Sequence, residues 1–205
     1  MRTDRRRMIT YKELPYGFER LEYIYTLNSA YIDTGIYSDK DVRIEVSFKY
    51  KNVPTQYLFG SGYTDWETVN FLHLTQDNDI VFNNSRVIKS LLKENGRFTI
   101  STKENKVTLS NAEGVIAEGY AGSYAKRKSV YTIALFNTRN KNGSVPGYFF
   151  CESSIAKVSI FKGENLTRHF IPVKRKSDGL IGMYDTVGGK FYTSPNAIKF
   201  LGGKP

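Results

Sequence analysis

The stretch Asp41-Val42-Arg43-Ile44-Glu45-Val46-Ser47-Phe48-Lys49-Tyr50 decides the fold. Val42, Ile44, Val46, Phe48 and Tyr50 alternate with Arg43, Glu45, Ser47 and Lys49. A period of two sends successive side chains to opposite faces of a strand, so one set meets a core and the other meets water. A strand dry on one face and wet on the other belongs to a sheet covered on one side only, as in a two-sheet sandwich.

Outward from this stretch the same language continues. Tyr57-Leu58-Phe59 ends at Gly60-Ser61-Gly62, and residues 69–74 stop at the turn signal Asp77-Asn78-Asp79, from which Ile80-Val81-Phe82 runs out. Residues 98–101 and 107–109 flank Glu104-Asn105 as a hairpin, and residues 111–114 turn into Val115-Ile116-Ala117. Residues 130–136 are apolar at nearly every position, which suits a central strand, and residues 155–161 and 167–173 add two more. Residues 181–187 and 190–193 bracket Gly188-Gly189, a pair that tolerates positive φ and favours a tight hairpin. Residues 86–92 carry the best helical signal and fit a strand equally well. Many short strands with regular turns predict an all-β jelly-roll sandwich.

The chain has 205 residues, enough for one sizeable β domain, expected over residues 19–205. Residues 1–18 read as a basic arm without periodicity, in which Arg5, Arg6, Arg7, Ile9 and Tyr11 are candidate partner-docking residues. Tyr (15) and Phe (13) supply nearly all the aromatic content, as pleated surfaces favour. Cys151 is alone, so no intrachain disulfide and no Cys-rich zinc site forms; after Phe149 and Phe150 it reads as an inert buried thiol. The basic start is followed by Ile9-Thr10-Tyr11-Lys12-Glu13 rather than an apolar run, and no stretch is long enough to span a membrane, so synthesis in a cytoplasm without the usual export is expected. The net charge of +10 attracts polyanions. Nucleic acid stays second among partners, because no RNA-recognition, KH or zinc-finger signature accompanies the runs Arg5-Arg6-Arg7, Lys126-Arg127-Lys128 and Lys174-Arg175-Lys176.

Two sets of short motifs stand near the ends of the domain. Leu21-Glu22-Tyr23-Ile24 and Tyr31-Ile32-Asp33-Thr34-Gly35 lie in front. Arg168-His169-Phe170-Ile171-Pro172, Ser177-Asp178-Gly179, Gly182-Met183-Tyr184-Asp185 and Phe191-Tyr192 lie behind. In this order and separation they resemble a large group of concanavalin A-like (LamG-type) jelly-roll proteins of tailed bacteriophages and related bacterial surface proteins. The resemblance covers residues 21–203. It implies a sandwich of two curved antiparallel sheets and a role in virion surfaces or carbohydrate binding. Residues 25–30 replace the more polar, glycine-containing turn of that group, and the calcium ligands of metal-binding LamG-type modules find no counterpart, so no metal or other cofactor is expected.

Catalytic patterns are sparse. Glycosidases on such scaffolds carry carboxylates two apart on one strand. Asp39/Asp41 and Asp77/Asp79 have the spacing but sit among turn residues, and Asp33-Thr34-Gly35 and Tyr184-Asp185 read as a turn and a structural corner. His73 sits in an apolar strand, far in sequence from His169, and no nucleophile elbow or phosphate loop is present. The expectation is therefore a non-enzyme: a bacteriophage virion structural protein on the particle surface, as capsid decoration, fibre or tail component, with glycan adhesion as an added role. Its partners would be other virion proteins, reached through the arm, further copies of itself, and cell-surface or mucus glycans. The alternatives are a carbohydrate-binding module of a bacterial surface protein and, behind it, a glycoside hydrolase. Tyr57, Tyr63 and Trp66, around the loop that carries Asp65-Trp66-Glu67, are the candidate sugar-stacking residues.

Overall fold

A computed structural model describes residues 13–62, 70–122, 128–139, 142–147 and 151–203. Among them there is no helix, and all regular structure is antiparallel β. With strands numbered in chain order, the larger sheet runs edge to edge through β11 (Gly114–Tyr120), β10 (Lys106–Asn111), β9 (Arg97–Lys103), β4 (Val42–Lys49), β13 (Ser154–Lys162), β14 (Asn165–Arg175), β15 (Ile181–Asp185) and β16 (Lys190–Tyr192). To this path β1 (Phe18–Arg20) adds along β14, and β2 (Tyr23–Tyr25) lies between β13 and β17 (Leu201–Gly203). The smaller sheet orders β3 (Ile32–Tyr37), β12 (Thr132–Leu135), β5 (Gln56–Gly60), β6 (Phe71–Leu74), β7 (Ile80–Phe82) and β8 (Ser85–Ile88). The chain passes repeatedly from one sheet to the other, giving the jelly-roll sandwich.

Strand β4 shows the expected alternation: Val42, Ile44, Val46 and Phe48 are buried, and the residues between them are half-buried on the other face. The buried set meets Ile100 and Val107 of its own sheet's core face and Leu58, Leu72 and Ile133 of the facing sheet in one cluster. A second, smaller apolar cluster lies apart from it, with Ile171, Val173 and Tyr184 under Leu14, Phe18 and Phe191.

Several expectations change in the structure. The arm ends earlier than residue 18. Phe18 opens β1, its N–H bonds to the Pro15 carbonyl at 3.0 Å, and Leu14 and Phe18 pack on β14 and β15. Apolar area on these two side chains outweighs the lack of periodicity. Asp33-Thr34-Gly35 lies within β3, where the signal of Gly35 (φ 69°) marks an irregular register opposite Thr132 and Ala134 rather than a reversal. The Gly188-Gly189 hairpin spans four turn residues, 186–189, and closes through the Gly189 N–H to the Asp185 carbonyl at 2.7 Å. Gly189 has φ 72°, whereas at Gly188 any Cβ would stand 2.3 Å from the Asp185 carboxylate. The strand expected over 130–136 narrows to β12, with Val130 exposed, and residues 86–92 contribute part of β8, not a helix.

Candidate functional site

The side chains that β4 turns away from the core include Ser47 and Lys49. Register sets their neighbours: Ser47 pairs with Thr99 and Lys49 with Arg97 on β9, and Lys49 pairs with Ser154 on β13. On β2 the central Ile24 is fully buried, which sends Tyr23 and Tyr25 outward. These strands therefore raise two adjacent tyrosines beside a floor of small residues, Ser47, Thr99, Ser154 and Ala156.

A hollow of about 280 Å³ lies over this floor, lined by Tyr23, Ser47, Lys49, Thr99, Ser154 and Ala156, with Arg97, Asn111 and Ala112 also in its lining. A second hollow of about 310 Å³ is lined by Tyr23, Tyr25, Lys49, Lys51, Glu94, Asn95, Glu152 and Ser154. Tyr23, Lys49 and Ser154 line both, so the two form one groove across β2, β13, β4 and β9. Glycine shapes its rim: a Cβ at Gly203 would stand 2.4 Å from the Tyr23 ring, so the absence of one lets that ring lie across β17.

The polar groups of the groove are mostly tied down. The Ser47 and Thr99 hydroxyls meet at 2.9 Å, and the Ser110 hydroxyl donates to the Thr99 carbonyl at 3.2 Å. Arg97 pairs with Glu22, Lys51 with Glu152 at 2.5 Å, and Glu94 accepts the Asn52 N–H. The Lys49 ammonium forms neither an ion pair nor a hydrogen bond among the described residues.

The residues expected to form a site fall elsewhere. Tyr57 is 2% exposed and packs on Phe71 and His73, with ring centroids 5.8 and 4.9 Å away. It is a packing residue rather than an open stacking surface, which corrects the expectation; both faces of β5 are covered, so alternation there does not separate wet from dry. Tyr63 and Trp66, and Arg5, Arg6, Arg7, Ile9 and Tyr11 of the arm, lie outside the described residues.

Other chemistry-bearing residues have structural partners. Asp39 caps the Asp41 N–H at 2.9 Å and meets Lys162 at 3.5 Å; buried Asp79 accepts the Ser90 N–H at 2.8 Å and meets Arg86 at 3.0 Å. Burial alone would raise the Asp33 carboxyl, but the Thr132 hydroxyl, the Gly35 N–H and Arg139 hold it below the usual carboxylate range. Burial pushes the Cys151 thiol up, where its Sγ faces the Ser153 carbonyl at 3.4 Å.

Ser159, His169 and Asp185 come together without forming a relay. Ser159 Oγ and His169 Nδ1 are 3.0 Å apart, but Asp185 accepts the backbone N–H groups of His169 and Val187, not the imidazole. Asp185 thus pins the last hairpin to β14, the corner role its motif suggested. Burial, followed by Lys157 and Arg20, lowers the His169 pKa.

The groove went unnoticed in the sequence, although two signals were present. One is the Tyr-Ile-Tyr alternation of residues 23–25. The other is Ser47, a small residue between long ones on the wet face of β4. Neither says that β2, β9 and β13 lie side by side.

Among the described residues no group of three or more His, Cys, Asp or Glu is placed to hold a metal ion. No family model matches the chain, and no curated protein does. Solved structures do. One is a native heptameric SAP-like pentraxin from Limulus polyphemus, 6% identical, covering 95% of this chain and 93% of its own, with a TM-score of 0.46. A second is the CBM40 of a Ruminococcus gnavus IT-sialidase bound to α2,6-sialyllactose, 13% identical over 71% of this chain and 91% of its own, with a TM-score of 0.43. A third is the enzymatically active domain of tailspike protein 2 from bacteriophage CBA120, 12% identical over 76% of this chain and 30% of its own, with a TM-score of 0.47. At such identities these likenesses concern the β fold and carry no residue of a site across.

Proposed function

We propose that this protein binds a saccharide chain, without cleaving it, in the groove of the larger sheet. The observation that carries this is the pair Tyr23 and Tyr25 standing beside a floor of hydroxyls in two joined hollows of about 280 and 310 Å³. Tyrosine offers a flat apolar face with a polar tip, which suits the C–H face of a sugar ring. The Ser47 and Thr99 hydroxyls can exchange their mutual bond for sugar hydroxyls, and the Ser154 hydroxyl lies beside them. The groove carboxylates Glu22, Glu94 and Glu152 each hold a donor of the fold, from Arg97, the Asn52 N–H and Lys51.

The setting we propose is the surface of a bacteriophage particle, as capsid decoration, fibre or tail component, with further copies of the chain and other virion proteins as partners. The paired motifs of residues 21–35 and 168–192 support it. Purified particles should contain the protein; its presence in infected cells but not in particles would remove this setting and leave the groove untouched.

A glycan array tests the binding. The wild-type chain should retain a defined set of glycans, and Ser154→Trp, which fills the groove beside Lys49, should lose them with an unchanged melting temperature. Equal retention by a folded Ser154→Trp protein, or reducing-sugar release from a bound glycan, would overturn the proposal.

A further inference from the structure

We infer that the saccharide is acidic and that its carboxylate or sulfate group sits on Lys49; this rests on the groove being the binding site. Lys49 lines both hollows and stands where they join, in register between Arg97 and Ser154. It is half-buried on the floor. The groove's other cations are spoken for: Arg97 by Glu22 and Lys51 by Glu152. Lys49 has no such counter-charge among the described residues.

The Lys49 side chain is half-buried and its ammonium has no acceptor within the described fold, so an anionic ligand group would give it a charge-assisted partner. The groove carboxylates that would supply one are held by other donors, so the acceptor must arrive with the ligand. An anionic group there meets a single compact charge, with the Ser47 hydroxyl two residues back on β4, the Ser154 hydroxyl on neighbouring β13 and the tyrosines alongside for the rest of the ring. The protein's net charge of +10 adds a long-range attraction of the same sign. One free cation among the described groove residues, over a floor of hydroxyls, suits one acidic substituent per ring. A nucleic-acid backbone, with a charge on every unit, would call for a row of unpaired cations.

The test uses the full chain against an array of uronate-containing, sialylated and sulfated glycans, their neutral counterparts, and a single-stranded oligonucleotide. The best acidic binder is then titrated alongside its carboxyl-reduced or desulfated form. Removal of one charge-assisted contact should cost about tenfold or more in affinity. Lys49→Gln should therefore weaken the acidic ligand by that factor and leave the neutralised form unchanged, while Tyr23→Ala should weaken both. Carboxyl reduction and desulfation separately tell a uronate or sialate from a sulfate. Array hits confined to neutral glycans, or Lys49→Gln within twofold of wild type, would overturn the inference while leaving the groove standing. Lys49-dependent binding of the oligonucleotide above every glycan would overturn it in favour of a phosphate chain. Ligands that survive Ser154→Trp in a folded protein would remove the groove itself, and the inference with it.

Discussion

The outward face of the larger sheet is treated in opposite ways at its β14–β16 end and over its middle strands. Over β14, β15 and β16 it carries large apolar groups, Ile171, Val173, Tyr184 and Phe191, and the chain's own residues 14 and 18 cover them, with the Phe18 ring 5.2 Å from Tyr184 and 5.3 Å from Phe191. Over β2, β13, β4 and β9 it carries Ser47, Thr99, Ser154 and Ala156 below Tyr23 and Tyr25, and none of the described chain fills the groove between them. Both regions rest on the same core, in which Phe48, Val158 and Phe170 are buried in one cluster. The difference lies in side-chain size on a common frame. Large apolar residues gain by covering themselves with chain, whereas small hydroxyl-bearing residues leave room for a ligand and supply its polar contacts.

The frame itself gives the largest effect. Val46, fully buried on β4, replaced by Asp places an unpaired charge between the sheets and should cost more than about 4 kcal/mol, so that circular dichroism no longer reports a folded protein. A cooperative transition near the wild-type temperature would show that the two faces of β4 are assigned the wrong way round.

At the covered end, Phe18→Ala should lower stability by about 2–3 kcal/mol in a denaturant titration, somewhat less than a fully buried Phe because the side chain is only half-buried. Glycan binding should survive, since the groove is a separate place. An unchanged denaturation midpoint would mean that the segment merely rests on the sheet.

The smaller sheet offers a control that touches neither region. His73, wedged between Tyr57 and Phe71, has its pKa lowered to about 4 by burial. An unfolded chain takes up this proton near pH 6.5, while the folded one resists until about pH 4. Stability from this residue is therefore intact above pH 6.5 and declines as the pH falls toward 4, by on the order of 3 kcal/mol. His73→Phe should flatten that part of the stability-against-pH curve, and an identical curve for both proteins would contradict the burial.

The smallest effect belongs to the open groove. Lys49→Asp should change stability by no more than about 0.5 kcal/mol, because this ammonium supports no partner within the fold. A loss comparable to that of Val46→Asp would mean that the groove is part of the core.

How much of this could be read in advance follows from the range of each interaction. The alternation of residues 41–50 announced a half-wet strand because burial on β4 follows sequence spacing directly. Glu104-Asn105 announced the β9–β10 hairpin because a turn is local. Gly35 misled because a glycine with φ 69° serves an irregular strand register as well as a reversal. Strand β17 went unforeseen because Leu201-Gly202-Gly203 has little strand character of its own and is held by β2, far away in sequence. Leu14 and Phe18 gave no periodic signal, since two contacts on a distant sheet need none. The groove was illegible for the same reason: its walls come from four strands, and Tyr57 drew attention as an aromatic beside a glycine-rich loop although its own sheet buries it.

The central claim is that a ligand occupies the open groove on this sheet face. Amide chemical-shift mapping with the array's best glycan tests it most directly. The account predicts saturable shifts at Tyr23, Lys49, Thr99 and Ser154, with the amides of Phe18, Val173 and Tyr184 at the covered end unmoved. Shifts centred instead on Gly62 and Asn70, which flank residues 63–69 in sequence, or no shift in the groove at saturating glycan, would contradict it.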